Sequence, residues 1–313
     1  MAIRRVLVSG AGGFIGRWSV PTLRSLGYEV HAVVSSAGHA ACAQLSDAHI
    51  HTADLLVEQA VDELLKAATP THLLHFAWIA TPGVYWMSKD NRRWLAASRH
   101  LLRAGRAQGG ERAVLAGSCA EYDWSRVGVC HERSSPLATE GGAAPAPYVE
   151  CKIALQRLLA DYSRDSGLSS AWGRIFFQFG PDEYPQRLVP SVICNLLAQR
   201  EAACSHGGQI RSFLHVADVG AAFAALLDSR LEGPVNIGSG ERISIAQLIH
   251  EIARQIGRPD LVRLGALPTP DGEPAVLLPD LDRLQRELGF KARYALNDAL
   301  ADTIAWWRLR LAA

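Results

Sequence analysis

Short apolar runs alternate with longer amphipathic stretches along the first half of the chain. The runs have strand length, whereas apolar residues in the longer stretches recur every three or four positions, as in helices. The pattern predicts strands over Ile3–Val8, Glu29–Val34, His72–Phe76, Ala113–Ala116 and Ala171–Phe176. It predicts helices over Phe14–Leu26, Glu58–Ala67, Asp90–Gln108 and Tyr148–Ser166. Because no hairpin signal separates these elements, we expect an α/β fold with a doubly wound parallel sheet.

The alternation weakens after Gly180 and Pro181, and prolines become common. The stretch from Arg211 to Ser229 has the pattern of a strand followed by a helix, and we expect it to rejoin the first domain. We therefore assign residues 1–178 and about 212–230 to a larger domain, and residues 179–211 and 231–313 to a smaller C-terminal lobe. A cleft between two lobes is a usual place for a binding site.

Composition narrows the class of protein. The 313 residues carry a net charge of +1 with 49% hydrophobic and 20% charged residues, which does not favour a nucleic-acid partner. No apolar run reaches the roughly 18–20 residues of a membrane span, and the first residues lack the pattern of a signal peptide. We therefore expect a cytoplasmic protein without a membrane partner. The six cysteines form no CxxC pair or metal-type cluster, so no metal is predicted.

A glycine-rich segment follows the first predicted strand directly. In "VLVSGAGGFIG", Gly10, Gly13 and Gly16 flank Phe14 and Ile15 at the start of a helix. Glycines there permit a tight turn and let the backbone approach a pyrophosphate at the positive end of the helix. The segment predicts a dinucleotide-binding loop.

The GxxGxxG spacing resembles that of the extended short-chain dehydrogenase/reductase family, which includes sugar-nucleotide epimerases, dehydratases and reductases. The resemblance covers nearly the whole chain, ending at "TIAWWR". It implies a Rossmann-like dinucleotide-binding domain, a smaller substrate-binding lobe, a nucleotide-sugar substrate and a homodimer.

The second predicted strand ends in Ser35 and Ser36, where an NAD-preferring site would carry an acidic residue for the ribose 2′-hydroxyl. Without that carboxylate a 2′-phosphate is not repelled, so NADP(H) is favoured and NAD is the alternative. Asp54, followed by Leu55, matches the adenine-contacting aspartate of the family, although a helix-capping role competes. By the same resemblance Phe76, Ala77 and Trp78 pass under the cofactor, whereas His75 is expected to be structural.

Two YxxxK sequences compete for the catalytic role: Tyr85–Lys89 and Tyr148–Lys152. Tyr148 begins a long predicted helix, on which residues four apart share a face. We expect the Lys152 ammonium to lower the pKa of the Tyr148 phenol and make it a usable acid or base. Tyr85 lies in a Pro-Gly loop, where no helical face is established. The second pair is therefore predicted to be catalytic.

The segment "SCAEY" resembles the family motif in which a serine precedes a tyrosine by four residues, here Ser118 and Tyr122. Ser118, Tyr148 and Lys152 then match the catalytic triad of the family. In the family's 4,6-dehydratases two acidic or polar residues follow the serine, but here they are Cys119 and Ala120. Alanine transfers no proton, so a dehydratase is disfavoured, and the shifted position of Cys119 also disfavours an epimerising reductase.

The resemblance also suggests substrate contacts in the cleft. Arg211 matches the arginine that binds the substrate diphosphate, and Arg187 is a second phosphate candidate. Phe177 stands where the family has an asparagine, with Gln178 beside it. The remaining predicted substrate contacts are Thr81, Tyr85, Trp86, Cys119 and Glu121.

These observations favour an NADP(H)-dependent reductase of a nucleotide-linked keto sugar, with a 4-keto-6-deoxyhexose as the expected sugar and Tyr148 as proton donor. A sugar-nucleotide 4-epimerase that retains a tightly bound NAD is the alternative, because it needs the same triad. A non-catalytic nucleotide-binding regulatory protein is the third hypothesis, and the intact triad argues against it.

Overall fold

The computed structural model describes residues 3–35, 43–140, 145–269 and 271–312. Its largest feature is a parallel sheet of seven strands in the order β12-β7-β5-β4-β1-β2-β3. These strands are β1 (Arg5–Ser9), β2 (Glu29–Val34), β3 (His49–Thr52), β4 (His72–His75), β5 (Arg112–Ser118), β7 (Ser169–Ile175) and β12 (Gly233–Ile237). The Rossmann-like doubly wound fold predicted from the sequence is confirmed.

Helices cover both faces of this sheet because alternate strand residues point to opposite sides. Val6 and Val8 face α1 (Gly16–Ser25) and α6 (Val216–Asp228), with Phe223 of α6 in the same core. Leu7 faces the other way, into a core shared with three further helices. These are α2 (Glu58–Ala68), α3 (Asp90–Ala107) and α4 (Pro147–Ser166).

A second apolar core lies in the C-terminal part of the chain, where Phe179, Ile193, Leu248 and Trp307 pack together. It is formed chiefly by α5 (Leu188–Leu197), α7 (Ile245–Ile256) and α8 (Leu296–Ala312). Short strands accompany it: β6 (Val129–Cys130), β8 (Phe177–Phe179), β9 (Ala202–Ala203), β10 (Ile210–Arg211), β11 (Phe213–His215), β13 (Ile243–Ser244), β14 (Val262–Arg263) and β15 (Leu278–Pro279).

The central strands and helices lie where the periodicity predicts them, but two edge strands were not predicted. β3 carries mainly exposed polar residues, and β12 contains Pro234 and Asn236, so neither has the expected apolar pattern. β12 pairs in parallel with β7, from Gly233 beside Ala171 to Ile237 beside Ile175. The boundary expected at residue 231 is therefore wrong here, because residues 233–237 complete the large sheet.

The chain order reverses beside β1, which has β2 on one side and β4 on the other. In doubly wound sheets such a reversal opens a crevice at the carboxyl ends of the strands, where ligands bind. The glycine segment follows β1, residues 76–78 follow β4, and Ser118 ends β5. The fold therefore brings the predicted cofactor and catalytic residues to one edge of the sheet.

Candidate active site

The glycine segment forms a crowded turn between β1 and α1. Gly10 has a φ of +66°, and a Cβ atom placed on it would lie 2.9 Å from the backbone nitrogen of Ala77. A Cβ atom on Gly16 would lie 2.2 Å from the carbonyl oxygen of Gly10. Helix α1 then begins without a side-chain cap and without an acidic residue in its first turn. This tight turn beside a helix N-terminus fits a bound pyrophosphate.

The other residues of this loop are Gly13, which is exposed, and the half-buried Phe14 and Ile15. Beyond β4, the Ala77 amide donates to the Ser9 hydroxyl at 3.3 Å, which keeps residues 76–78 against the loop. Phe76 packs edge-on against Phe223 in the core, 4.8 Å between ring centroids. This contact joins the segment after β4 to the apolar core.

His75 is buried between two serines. Its Nδ1 lies 2.6 Å from the Ser9 hydroxyl, and its Nε2 lies 2.8 Å from the Ser98 hydroxyl. Burial lowers the pKa of His75 to about 3, with the Lys152 charge contributing in the same direction. The imidazole is therefore neutral and has a structural role, as the sequence predicts.

The predicted adenosine end of the cofactor site is more exposed. Ser35 follows β2 at the surface, and Ser36 lies outside the described residues. The Asp54 carboxylate accepts a hydrogen bond from the Leu56 amide at 2.9 Å, the local turn that competes with an adenine contact. Leu55 is buried in the core that α2 shares with the sheet.

The three residues of the predicted triad meet beside the end of β5. Ser118 is the last residue of β5, and Tyr148 lies in the first turn of α4, which has Pro147 at its first position. The Ser118 hydroxyl lies near enough to the Tyr148 phenol to act on its pKa. One turn later, the Lys152 ammonium donates to the Ala116 carbonyl of β5 at 2.9 Å.

The electrostatics of this group differ from the sequence-based expectation. Burial raises the pKa of Tyr148, and the nearby Ser118 hydroxyl opposes this only in part. The Lys152 ammonium lies 6.0 Å from the centroid of the Tyr148 ring. Burial also lowers the pKa of Lys152 to about 7. The pKa of Tyr148 is thus raised, and not lowered as the sequence predicts.

The turn after Ser118 assigns Glu121 a different role from the predicted sugar contact. Glu121 is 0% exposed. Its carboxylate accepts hydrogen bonds from the Ser118 amide at 2.7 Å, the Trp172 indole at 3.0 Å and the Arg174 guanidinium at 2.7 Å. Because its hydrogen bonds are made inside the protein, Glu121 supports the turn and does not face a ligand.

Cys119 and Ala120 occupy the two positions between Ser118 and Glu121, and both are buried. Burial raises the pKa of the Cys119 thiol to about 12, so the thiol stays protonated at neutral pH. The Cys119 carbonyl accepts a hydrogen bond from the Trp124 indole at 2.9 Å. Neither side chain is a proton carrier at this pH.

Aromatic side chains surround Tyr148. The Tyr85 ring meets it edge-on at 4.8 Å between centroids, and the Trp86 ring lies nearly parallel to it at 5.8 Å. Trp124 extends this surface, 6.3 Å from Trp86. The Trp86 carbonyl accepts the Tyr148 amide at 3.2 Å, and Thr81, exposed, begins the turn that carries Tyr85. Tyr85 and Trp86 therefore line the site, as predicted, whereas Lys89 lies at the surface.

A pocket of about 240 Å³ opens beyond Trp124 and Phe177, with Arg211 in its wall. Arg211 is 1% exposed, and its guanidinium donates to the Glu273 carboxylate at 2.9 Å. Its Nε atom has no hydrogen-bond partner. Arg211 thus lies in the predicted pocket but is already paired there with an acidic residue.

The last two predicted contacts are less closely connected with this pocket. Gln178 follows Phe177 on β8 and is half-buried. Arg187 is exposed at the residue before α5, where it acts electrostatically on the buried Glu183 carboxyl.

Every helix within residues 3–35, 43–140, 145–269 and 271–312 is too short or too polar to span a bilayer. No group of three or more histidine, cysteine, aspartate or glutamate side chains in those ranges is arranged to hold a metal ion.

The glycine turn at the sheet reversal, together with the Ser-Tyr-Lys group, is the arrangement expected of a nicotinamide-dependent enzyme. A family model described as the NAD dependent epimerase/dehydratase family matches residues 6–238. The chain belongs to this family. The resemblance to extended short-chain dehydrogenases/reductases is thereby confirmed, and with it an NAD(P)-dependent enzyme that acts on a sugar nucleotide.

Relatives of this family member differ in the reaction that they catalyse. A dTDP-glucose 4,6-dehydratase from Streptomyces niveus is 29% identical, over 97% of this chain and 93% of the relative. A dTDP-4-dehydro-6-deoxy-D-allose reductase from Streptomyces bikiniensis is 28% identical, over 97% and 96%. Among solved structures, MoeE5 in complex with UDP-glucuronic acid and NAD has 30% sequence identity with this chain. The alignment covers 98% of this chain and 99% of MoeE5, with a TM-score of 0.80.

Sequence reasoning missed three residues that shape the site. Glu273 pairs with Arg211, Arg174 pairs with Glu121, and Asn91 bonds to the Trp78 indole at 2.8 Å. Each lies far along the chain from its partner, so no local spacing connects them. The one sequence signal was the presence of charged residues in apolar segments, such as Arg174 within "AWGRIFF".

Proposed function

We propose that this protein is an NADP(H)-dependent reductase of a nucleotide-linked keto sugar, with a 4-keto-6-deoxyhexose as the sugar. The observation that carries the proposal is the composition of the turn after β5. Ser118 meets Tyr148 there, whereas the neighbouring Cys119 and Ala120 supply no proton carrier. The site therefore supports carbonyl reduction and lacks groups for elimination.

In this reaction Tyr148 is the proton donor. Its raised pKa keeps the phenol protonated at neutral pH, which suits reduction because the proton must pass to the carbonyl oxygen. Ser118 holds that oxygen through a second hydrogen bond. When bound, the nicotinamide cofactor supplies the hydride that reaches the carbonyl carbon. The ketone then becomes an alcohol, and Lys152, one turn after Tyr148 in α4, would hold the cofactor's ribose.

Water elimination requires an acid and a base beside the sugar, and the turn does not provide them. Ala120 has no ionisable group, and Cys119 is protonated by virtue of its burial. Glu121 is next in the chain, but its carboxylate is bound to Arg174 and Trp172. The dehydratase among the relatives is therefore a weaker guide to the reaction than the reductase.

The preference for NADP(H) over NAD(H) rests on Ser35 at the end of β2. A Ser35→Asp variant would place a carboxylate where it repels a 2′-phosphate, so it should weaken NADPH binding more than NADH binding. Titrations of the two cofactors against both proteins measure this difference. Equal effects on the two cofactors would contradict the preference.

The activity is tested by mixing the protein with NADPH and a panel of nucleotide-linked 4-keto-6-deoxy sugars. Stoichiometric oxidation of NADPH, followed at 340 nm, with reduction of the sugar supports the reductase. Absence of NADPH oxidation across dTDP-, UDP- and GDP-linked substrates would contradict it.

The second candidate is a sugar-nucleotide 4-epimerase with tightly bound NAD. The observation in its favour is that MoeE5, at 30% identity, holds NAD together with UDP-glucuronic acid. An epimerase would co-purify with NAD and interconvert two sugar nucleotides without net cofactor consumption. Denaturing the purified protein and assaying the released nucleotide separates the two candidates.

Two further expectations are part of the proposal. Family resemblance favours a homodimer formed by α3 and α4, which sedimentation of the purified protein tests. The sequence favours a cytoplasmic location.

The non-catalytic hypothesis has a test of its own. A Tyr148→Phe variant that retained its role in the cell would favour that hypothesis over an enzyme.

A further inference from the structure

Lys152 has few partners for a buried cation. It is 6% exposed, and its ammonium donates to the Ala116 carbonyl at 2.9 Å. The Trp78 ring lies directly beside it, with 4.0 Å between Nζ and the ring centroid. A cation at this distance from an indole face is attracted by the ring quadrupole, and more strongly where water is excluded.

Trp78 also makes a hydrogen bond with Asn91. The indole nitrogen donates to the Asn91 side-chain oxygen at 2.8 Å. Asn91 is 0% exposed, and its amide donates to the Tyr85 carbonyl at 2.7 Å and to the Ser88 carbonyl at 2.9 Å. The indole therefore connects Lys152 with the loop that carries Tyr85 and Trp86.

That loop is bonded in turn to the proton donor. The Trp86 carbonyl accepts the Tyr148 amide at 3.2 Å, and both loop rings contact the Tyr148 ring. A continuous set of contacts thus runs from Lys152 through Trp78 and Asn91 to Tyr148.

We infer that Trp78 is a positioning residue that holds the Lys152 ammonium with its ring face and fixes the Tyr85–Trp86 loop through Asn91. Its role in turnover rests on the proposed function, because it acts through Lys152 and Tyr148. Its attraction for the Lys152 ammonium and its link to the loop do not require a bound substrate, so both can be measured in the protein by itself.

The charged and titratable groups around Lys152 come from three elements. Glu121 in the turn after β5 and Cys151 in α4 both favour the ammonium. His75 at the end of β4 is neutral, and Tyr148 is a protonated phenol at neutral pH. None of these side chains bonds to the ammonium, so beside the Ala116 carbonyl the Trp78 ring face is its nearest contact and the one that a substitution can remove.

The test is a pH titration of Lys152 by NMR, with the side-chain nitrogens of the lysines labelled. The chain has four lysines, and Lys66, Lys89 and Lys291 are exposed. The Lys152 signal is identified by its loss in Lys152→Arg. In the unsubstituted protein its midpoint should be about 7.

Removing the ring should lower this midpoint further. We expect Trp78→Leu to lower it by about one pH unit, because the ammonium loses its attraction to the ring. Trp306→Leu, at a half-buried tryptophan of α8, is the matched control and should leave the midpoint unchanged. An unchanged or raised midpoint in Trp78→Leu would overturn the inference.

A series of fluorinated tryptophans at position 78 keeps the shape and the indole N–H, so it avoids a folding defect. Each added fluorine weakens the negative ring face, and the midpoint should fall stepwise. A constant midpoint across the series would show that the ring only fills space.

The link to the loop is tested by amide hydrogen exchange. Trp78→Phe keeps a ring but loses the N–H that bonds to Asn91, so exchange of the Tyr148 amide should accelerate roughly tenfold. Amides of α8 are the internal control. Unchanged exchange at Tyr148 would contradict this link. Because neither measurement uses cofactor or substrate, their outcome is separate from that of the NADPH assay.

Discussion

Tyr148 is a neutral phenol in an apolar setting, close to the Ser118 hydroxyl and contacted by two aromatic rings. Burial is unfavourable for a phenolate, so the protonated form dominates near neutral pH. The same burial lowers the pKa of Lys152 to about 7, because a cation is also costly to bury. Both residues are therefore closer to their uncharged forms than isolated side chains would be.

Replacing Tyr148 with phenylalanine removes the proton donor and keeps the ring. We expect kcat/KM for keto-sugar reduction to fall at least a hundredfold, the usual size of a general-acid contribution. Cofactor affinity should change little. Tyr85→Phe is the matched control, since Tyr85 contacts the same ring, and its activity should stay within a few fold. Equal losses in the two variants would contradict the assignment.

His75 makes the stability depend on pH. Its pKa is about 3 in the folded protein and ordinarily 6.5, so the unfolded chain binds the proton first as pH falls. Stability is therefore complete above pH 6.5 and is lost between pH 6.5 and 3. At pH 5 the loss from this residue alone should be about 2 kcal/mol.

The measurement is urea unfolding at pH 7 and pH 5. In His75→Gln the difference in unfolding free energy between the two pH values should shrink by about 2 kcal/mol. His250→Gln, at an exposed histidine of α7, should leave that difference as it is in the unsubstituted protein. An equal pH difference in unfolding free energy in the two variants would show that His75 does not control the pH dependence of stability.

At the scale of elements, the turn after β5 is held from the neighbouring strand β7. Trp172 and Arg174 of β7 both bond to Glu121, and Glu121 in turn accepts the Ser118 amide. Ser118 is therefore positioned by a buried ion pair and does not lie in an unsupported loop.

Breaking that ion pair should be costly. In Glu121→Gln the Arg174 charge stays buried without its partner, and we expect a loss of about 3–5 kcal/mol in unfolding free energy. Asp161→Asn, which breaks an exposed pair with Arg164 on α4, should cost less than about 1 kcal/mol. Denaturant unfolding of both variants measures the contrast, and similar losses would refute a structural role for Glu121.

At the scale of the whole molecule, the strand order brings residues from distant parts of the chain to one crevice. The glycine turn follows β1, and Ser118, Tyr148 and Lys152 lie on β5 and α4. A bound dinucleotide would bridge these parts, so binding should stabilise the entire fold. At a concentration a hundred times Kd this amounts to about 2.7 kcal/mol.

The melting temperature should accordingly rise by about 5 °C with saturating cofactor. Gly16→Ala should abolish this rise, because its Cβ would lie 2.2 Å from the Gly10 carbonyl oxygen. Gly105→Ala in α3 is the control, since its Cβ would lie 3.9 Å from the nearest atom, in Leu65. Thermal melts of both variants with and without NADPH measure this rise. A full rise in melting temperature in Gly16→Ala would contradict cofactor binding at the glycine turn.

The sheet and its helices were predictable because local periodicity reports which face of an element is buried. The inner strands of the sheet follow this periodicity, namely β1, β2, β4, β5 and β7. The strands β3 and β12 lie at the edges and carry polar or turn-forming residues. Ser118, Tyr148 and Lys152 were predictable for a related reason. Each belongs to a short motif whose residues are close in the chain.

The doubly wound sheet and the glycine turn follow from local order along the chain, and the resemblance to the family adds Ser118, Tyr148 and Lys152 as catalytic candidates. Three properties follow only from the folded arrangement: the pairing of Glu121 with Arg174, the pairing of Arg211 with Glu273 and the raised pKa of Tyr148. Those properties depend on burial and on partners between 50 and 65 residues away, or on neighbouring elements. Such contacts exist only after the chain has closed its core.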